Sequence, residues 1–189
     1  MVYPSSPMPK TASILRIELL DVKPLVWRRI VVPVNIQLPK LHKIIQAVMG
    51  WEDSDLHLFN IGGTSYGVLD DEFPDDHALP EKAVRLSKVL GSDTEFEYQY
   101  DFGDNWQHRI VVEAIGVPDL ALTLPVCLAG ENACPPEDVG GVSGYDRFRE
   151  ALADPENEEH LDYRTWVGGI FDPAGFDVNA VNSRLRAIR

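Results

Sequence analysis

The stretch "TEFEYQYDFGDNWQHRIVVEAIG" (residues 94–116) decides the fold. Phe96, Tyr98 and Tyr100 alternate with Glu95, Glu97 and Gln99, so an extended chain here carries aromatic rings on one side and polar groups on the other. After "FGDN" (102–105), Trp106, His108, Ile110 and Val112 return on a single face. Asp, Gly and Asn are the residues a four-residue hairpin loop needs for its backbone angles and local hydrogen bonds. A period of two on both sides of such a loop predicts an antiparallel hairpin.

Working toward the N-terminus, "SILRIELLDV" (13–22) places Leu15, Ile17 and Leu19 opposite Arg16 and Glu18, a half-buried strand. "LVWRRIVVP" (25–33) is a second strand, joined to the first by a short connection through "DVKP". "LPKLHKIIQAVMGW" (38–51) spaces Leu41, Ile44, Ile45, Val48 and Met49 as a helix, with Gly50 as its terminating residue. "DLHLFNIGGTSYGVL" (55–69) reads as two short strands about Gly62–Gly63, "DDEFPDDHALPEK" (70–82) as an acidic loop, and "RLSKVLG" (85–91) as one helical turn. Beyond the hairpin, 117–144 is rich in Pro and Gly without a period and is expected to be a long ordered loop. Three helices follow: "YDRFREALADP" (145–155), "ENEEHLDYRTWVGG" (156–169), and "FDVNAVNSRLRAI" (176–188) with Asp177 as N-cap. Strands first and helices last predict an α+β fold, with a mostly antiparallel sheet, an early helix and a helical C-terminal third. The chain of 189 residues has room for one domain, assigned to 12–189, behind a disordered tail over 1–11.

Composition narrows the function classes. The net charge is −13, and residues 44–189 carry nearly all of the acid. Such a surface repels nucleic acid, except where Lys23, Arg28, Arg29, Lys40 and Lys43 form a positive patch within 23–43. No apolar run approaches the roughly 20 residues that cross a bilayer, and the N-terminus has no apolar leader, so a cytoplasmic protein without membrane contact is expected. Cys127 and Cys134 are expected to be reduced. There is no P-loop, G-x-G-x-x-G, G-x-S-x-G or H-E-x-x-H.

Two loops hold the candidate chemistry. In "YDFGDNWQH", Asp101 and Asp104 flank the turn and His108 follows; carboxylates suit a hard cation, and a carboxylate can tune a histidine as general base. The alternative is that these are turn residues and a core histidine. In "CPPEDVGGVSGY" (134–145), Pro135–Pro136 stiffen the chain, Gly140 and Gly141 permit positive φ or close approach, and Glu137 and Asp138 suit a cation or a helix N-terminus. Cys127 and Cys134 with His108 form a candidate metal set, and either cysteine with His57 or His108 a candidate nucleophile, against the alternative of two buried loop anchors. Arg28 and Arg29 point to opposite faces of a strand, so one faces the core side, lies on an aromatic ring or pairs with an acid.

Five segments, "KPLVWRRIVVP", "LHKIIQAVMGWEDSDLHLFNIGG", "YDFGDNWQHRI", "PVCLAGENACPPEDVGGVSGYDRF" and "FDPAGFDVNAVNSRL", together resemble the plasmid pRiA4b ORF-3-like family over residues 12–186. The resemblance implies a compact α+β domain found in bacteria and archaea, often as a passenger of insertion elements, sometimes under a resolvase-type (TnpR) name. It carries no catalytic residues over, and a serine recombinase's basic DNA-binding region has no counterpart here. Three readings stand. The first is a module binding a partner or small ligand through Tyr98, Tyr100, Trp106, Glu137 and Asp138. The second is a metal-assisted hydrolase using His57, Asp101, Asp104, His108, Cys134, Glu137 and Asp138 with a divalent metal. The third is a mobile-element-associated factor with weak nucleic-acid contact.

Overall fold

The computed structural model describes residues 11–68, 78–118 and 123–188. The hairpin forms as expected, from β6 (Glu95–Tyr100) and β7 (Trp106–Pro118), with Phe96 opposite Ile110, Tyr98 opposite His108 and Tyr100 opposite Trp106. On the β7 side come β1 (Thr11–Leu19), β2 (Val26–Pro33) and β8 (Val126–Glu131). On the β6 side come β3 (His57–Ile61), β4 (Thr64–Gly67) and β5 (Leu79–Pro80). All pairs are antiparallel except β4 with β5.

The register puts Leu15, Ile17, Leu19, Ile30, Phe59, Phe96, Tyr98, Tyr100, Trp106, His108 and Ile110 on one face. Helix α1 (Leu38–Met49) buries Leu38, Leu41, Ile44, Ile45 and Val48 in the same core. It ends where Gly50 turns left-handed at φ 97°, with Gly50 N and Trp51 N both donating to Gln46 O. The short α2 (Leu86–Val89) adds Leu86. Helices α3 (Gly141–Ala153), α4 (His160–Trp166) and α5 (Val178–Arg186) complete the cover, α5 capped by Asp177, which accepts from Asn179 N and Ala180 N. The other face is a polar lattice. Glu18 takes Arg16 and Arg109, Arg29 pairs with Glu113, and Arg16 lies over Trp27. A slip of one residue would exchange the two sets, so this contrast holds the register.

Two sequence expectations are corrected. The segment 117–144 is not all loop, because β8 forms an edge strand on β2. Its period is masked by a bulge at Leu128, which has no partner between the pairs Arg29–Ala129 and Ile30–Cys127, and it is held from outside the sheet, where Asn182 bonds both N and O of Cys127. Helix α3 starts at Gly141, not Tyr145. Gly140 is the N-cap, and Gly141 and Gly144 belong to the helix's first turn, where a Cβ on either would press on the carbonyl of Asp104 or Val139. Most of the expected acidic loop and nearly all of the N-terminal tail lie outside the described residues. No helix among the described residues is long and apolar enough to cross a membrane.

Candidate functional site

The two motif loops meet. Asp101 leaves β6 in the left-handed region, at φ 54°, and its Oδ1 accepts from Gly103 N and Asp104 N at 2.8 and 3.1 Å. That Asx-type closure explains why Asp, Gly and Asn occupy the turn. Asp104 Oδ2 then accepts from Gly140 N at 3.0 Å. Gly141 lies so close that a Cβ on it would stand 2.6 Å from the Asp104 carbonyl oxygen.

A third segment, 51–55, joins them. Trp51 Nε1 donates to Pro135 O at 3.0 Å, which gives the stiff Pro135–Pro136 pair its partner. Tyr100 Oη donates to Glu137 Oε1 at 3.1 Å and accepts from Ser54 N, while Glu52 N donates to the same Glu137 oxygen at 2.8 Å. The result is a carboxylate cluster in which oxygens of Asp55, Asp101 and Asp138 lie within 4.8 Å of one another. Oxygens around one hard cation, each about 2.3–2.6 Å from it, fall within such a spacing. Burial, and then Asp101, raise the Asp55 carboxyl above its ordinary range; burial also raises Glu137, helped by Asp55 and Asp138. Beside the turn a cleft of about 500 Å³ opens, lined by Leu20, Asp104, Gln107, Gly140, Ser143 and Asp146.

Other candidates stand elsewhere. Tyr98, Tyr100 and Trp106 are 0% exposed, so the expected aromatic binding surface is corrected to core. The alternation gave their side of the sheet, and helices cover that side. Only the Tyr100 hydroxyl reaches the junction. His108 is also in the core, its Nδ1 donating to Tyr98 O and Trp106 O, with Trp51 edge-on. The set Cys127, Cys134 and His108 does not assemble. Among the described residues the one group of three or more close ligand atoms is the Asp55 cluster. Burial raises both thiols, away from the thiolate a nucleophile or metal ligand needs. Of the basic residues expected to form a patch within 23–43, Arg28 is buried, Arg29 is paired with Glu113, and Lys40 bonds the carbonyl of Ile188, while Lys23 and Lys43 are exposed.

His57 belongs to a constellation that the sequence reading missed. Its ring stacks on His42 with centroids 3.5 Å apart and planes 6° from parallel. His57 Nε2 meets Glu81 at 2.9 Å, while His42 holds Asp53 at 2.6 Å and the Tyr98 hydroxyl at 2.8 Å. Gln46 bonds both Tyr98 Oη and Asp53 N. The signal was present as His42 and Gln46, two polar residues four apart within an apolar helix stripe. Burial, and then the His57 ring, lower the basicity of His42.

Burial lowers His108 from its ordinary value to about 4. Its folded value lies below its unfolded one, so the unfolded chain takes up the proton first, and stability falls as pH drops from about 6.5 toward 4. The expected loss from this group is roughly 2 kcal/mol by pH 5. Urea titrations of His108→Phe at pH 7 and pH 5 should show a smaller decline than the parent. An equal decline would exclude His108 as its source.

The comparisons with known proteins agree with this architecture. The family model described as plasmid pRiA4b ORF-3-like protein matches residues 11–180. The chain is 40% identical over 173 residues to "Uncharacterized protein y4hQ" of Sinorhizobium fredii (strain NBRC 101917 / NGR234), covering 90% of this chain and 89% of the relative. It is similar to the crystal structure of MM3350, a protein of unknown function from Methanosarcina mazei Go1, with a TM-score of 0.82 and 38% identity. That similarity covers 91% of this chain and 98% of that one. By the match along most of its length, the chain belongs to the plasmid pRiA4b ORF-3-like family.

Proposed function

We propose that this protein is a binding module that holds its ligand where the 101–105 turn meets the 134–141 loop, through a hard divalent cation on Asp55, Asp101 and Asp138. The observation that carries this reading is the convergence of three carboxylates from three separate segments within 4.8 Å. All-oxygen donors select calcium, magnesium or manganese over softer metals. The adjacent cleft, with Ser143 and Gln107 on its wall, receives the rest of the ligand. A metal-assisted hydrolase is the second reading, favoured by Glu137, whose raised carboxyl beside the cluster suits a general acid or base.

Calorimetric titration of chelator-stripped protein with each chloride salt should give one saturable site. At a hundredfold excess over Kd, the bound cation adds about 2.7 kcal/mol, or roughly 5–10 °C in Tm. Asp138→Asn should abolish both effects, and no saturable uptake of any of the three cations at millimolar concentration would end the proposal. Asp55→Asn gives a sharper test because its effect changes sign. Asp55 is raised on folding, so its charge opposes the native state above that raised value and ceases to do so as pH falls into the ordinary carboxylate range. In chelator at pH 7 the variant should melt roughly 1–2 °C above the parent, with the gain lost at acid pH. In saturating cation it should melt below the parent. For the hydrolase reading, cation-dependent turnover of phosphate or carboxylate esters should vanish in Glu137→Gln while cation binding persists.

A further inference from the structure

A second cavity, about 410 Å³, lies between the C-terminal end of α1 and the start of α5, lined by Arg28, Met49, Gly50, Cys134, Phe176 and Arg184 among others. Its chemistry is opposite to that of the rest of the chain. Arg28 is 3% exposed, and its guanidinium lies over Phe176 at 4.6 Å. It donates to four carbonyl oxygens, those of Val48, Trp27, Glu131 and Asn132, at 2.8–2.9 Å, and to no carboxylate. Buried charges are ordinarily paired. Arg184 donates through Nε to Ala47 O at 2.8 Å, and its terminal nitrogens make no hydrogen bond or ion pair among the described residues. Nη2 extends over Gly50, 3.6 Å from where a Cβ would stand.

The carbonyls of Ala47 and Val48 are the negative end of α1, worth about half a charge. Two guanidinium groups exceed that. Asp177 also borders the cavity and adds one negative charge, its Oδ1 accepting from the α5 amides of Asn179 and Ala180; with the half charge of α1 this still falls short of the two guanidinium groups. The walls therefore keep a net positive charge, in a protein of net charge −13, with free donors on Arg184. Met49, Phe176 and Val181 supply an apolar side, and the space exceeds that of a bare phosphate. We infer that this cavity binds a small molecule with an oxyanion head, carboxylate or phosphate, set on Arg184 beside Arg28, and an apolar body against Phe176 and Met49. It is a site separate from the carboxylate cluster and does not depend on a cation there.

The test is calorimetric titration of the full chain, in chelator throughout, with phenyl phosphate, benzoate and inorganic phosphate, and with sodium chloride at matched ionic strength as control. Saturable binding of phenyl phosphate or benzoate, tighter than inorganic phosphate, is expected; which of the two binds more tightly identifies the head group. Because Arg28 variants risk misfolding, the charge is removed at the exposed Arg184. Arg184→Gln should weaken binding roughly tenfold or more, and Arg184→Lys should restore it only partly, since an ammonium lacks the planar fork. Ala180→Phe should block the cavity without altering charge. A response no greater than that to chloride, or Arg184→Gln binding like the parent, would overturn the inference.

Discussion

Arg28→Met should lower stability by about 3–5 kcal/mol, the range for breaking a buried charged network. In a chain of this size that is roughly a 10–15 °C fall in Tm. The methionine fills much of the same volume, so the cost is not a cavity. It comes from acceptors left without donors, because Arg28 serves Val48 at the end of α1, its neighbour Trp27, and Glu131 and Asn132 at the end of β8. Each buried carbonyl stripped of its donor costs about 1–3 kcal/mol. One side chain thus holds together a helix end, a strand and the start of the 132–140 loop. Arg29→Met is the control: that neighbour makes an exposed pair with Glu113, worth about 0–1 kcal/mol. Urea unfolding of the two variants in parallel would refute this account if they differed by less than 1 kcal/mol.

Gly144→Ala is the second large effect, at roughly 3 kcal/mol or more, because overpacking against rigid backbone exceeds the usual core penalty. A Cβ there would overlap the carbonyl oxygen of Val139, which the chain cannot move without unseating the first turn of α3. Gly141→Ala should cost a similar amount for two reasons: its φ of 68° disfavours an L side chain, and its Cβ would press on the Asp104 carbonyl. Gly141→Ala has a second readout. Gly141→Ala drives the hairpin turn away from the 134–141 loop and should weaken cation uptake, while Gly168→Ala has a comparable φ of 78° but open space around it. That variant should cost only about 1 kcal/mol and leave uptake intact. Thermal melts with and without cation would decide, and a Gly141→Ala protein as stable as Gly168→Ala would refute the contact.

Much of the fold was legible because its signals are local. Alternation in β1, β6 and β7, the apolar stripe of α1, Gly62–Gly63 between β3 and β4 and Asp177 before α5 each act within a few residues. The strand β8 was not legible, because its order comes from Asn182, more than fifty residues away, and because a bulge at its own Leu128 breaks the alternation. The start of α3 was hidden for a related reason: Gly141 and Gly144 are there to let Asp104 and Val139 approach, and in isolation they resemble a loop. At the junction, Asp101, Asp104, Glu137 and Asp138 drew notice through their turn chemistry. Asp55 did not, since nothing in its own neighbourhood says that a distant turn will face it. The aromatic residues of the hairpin show the limit of periodicity, which sorts side chains into two sets without saying which set meets water.

The strand order has a consequence for synthesis. Strand β1 lies between β2 and β7, and Ile17 pairs with Ile110. A ribosome delivers the chain from its N-terminus, so one edge of the first strand waits for its neighbour while some ninety residues are added. At usual elongation rates that wait is roughly 5–20 s. During it the chain exposes an apolar strand edge able to pair with other nascent chains. The burden on chaperones falls early, before the hairpin emerges, and the most hazardous truncations of this protein are those that stop short of residue 106.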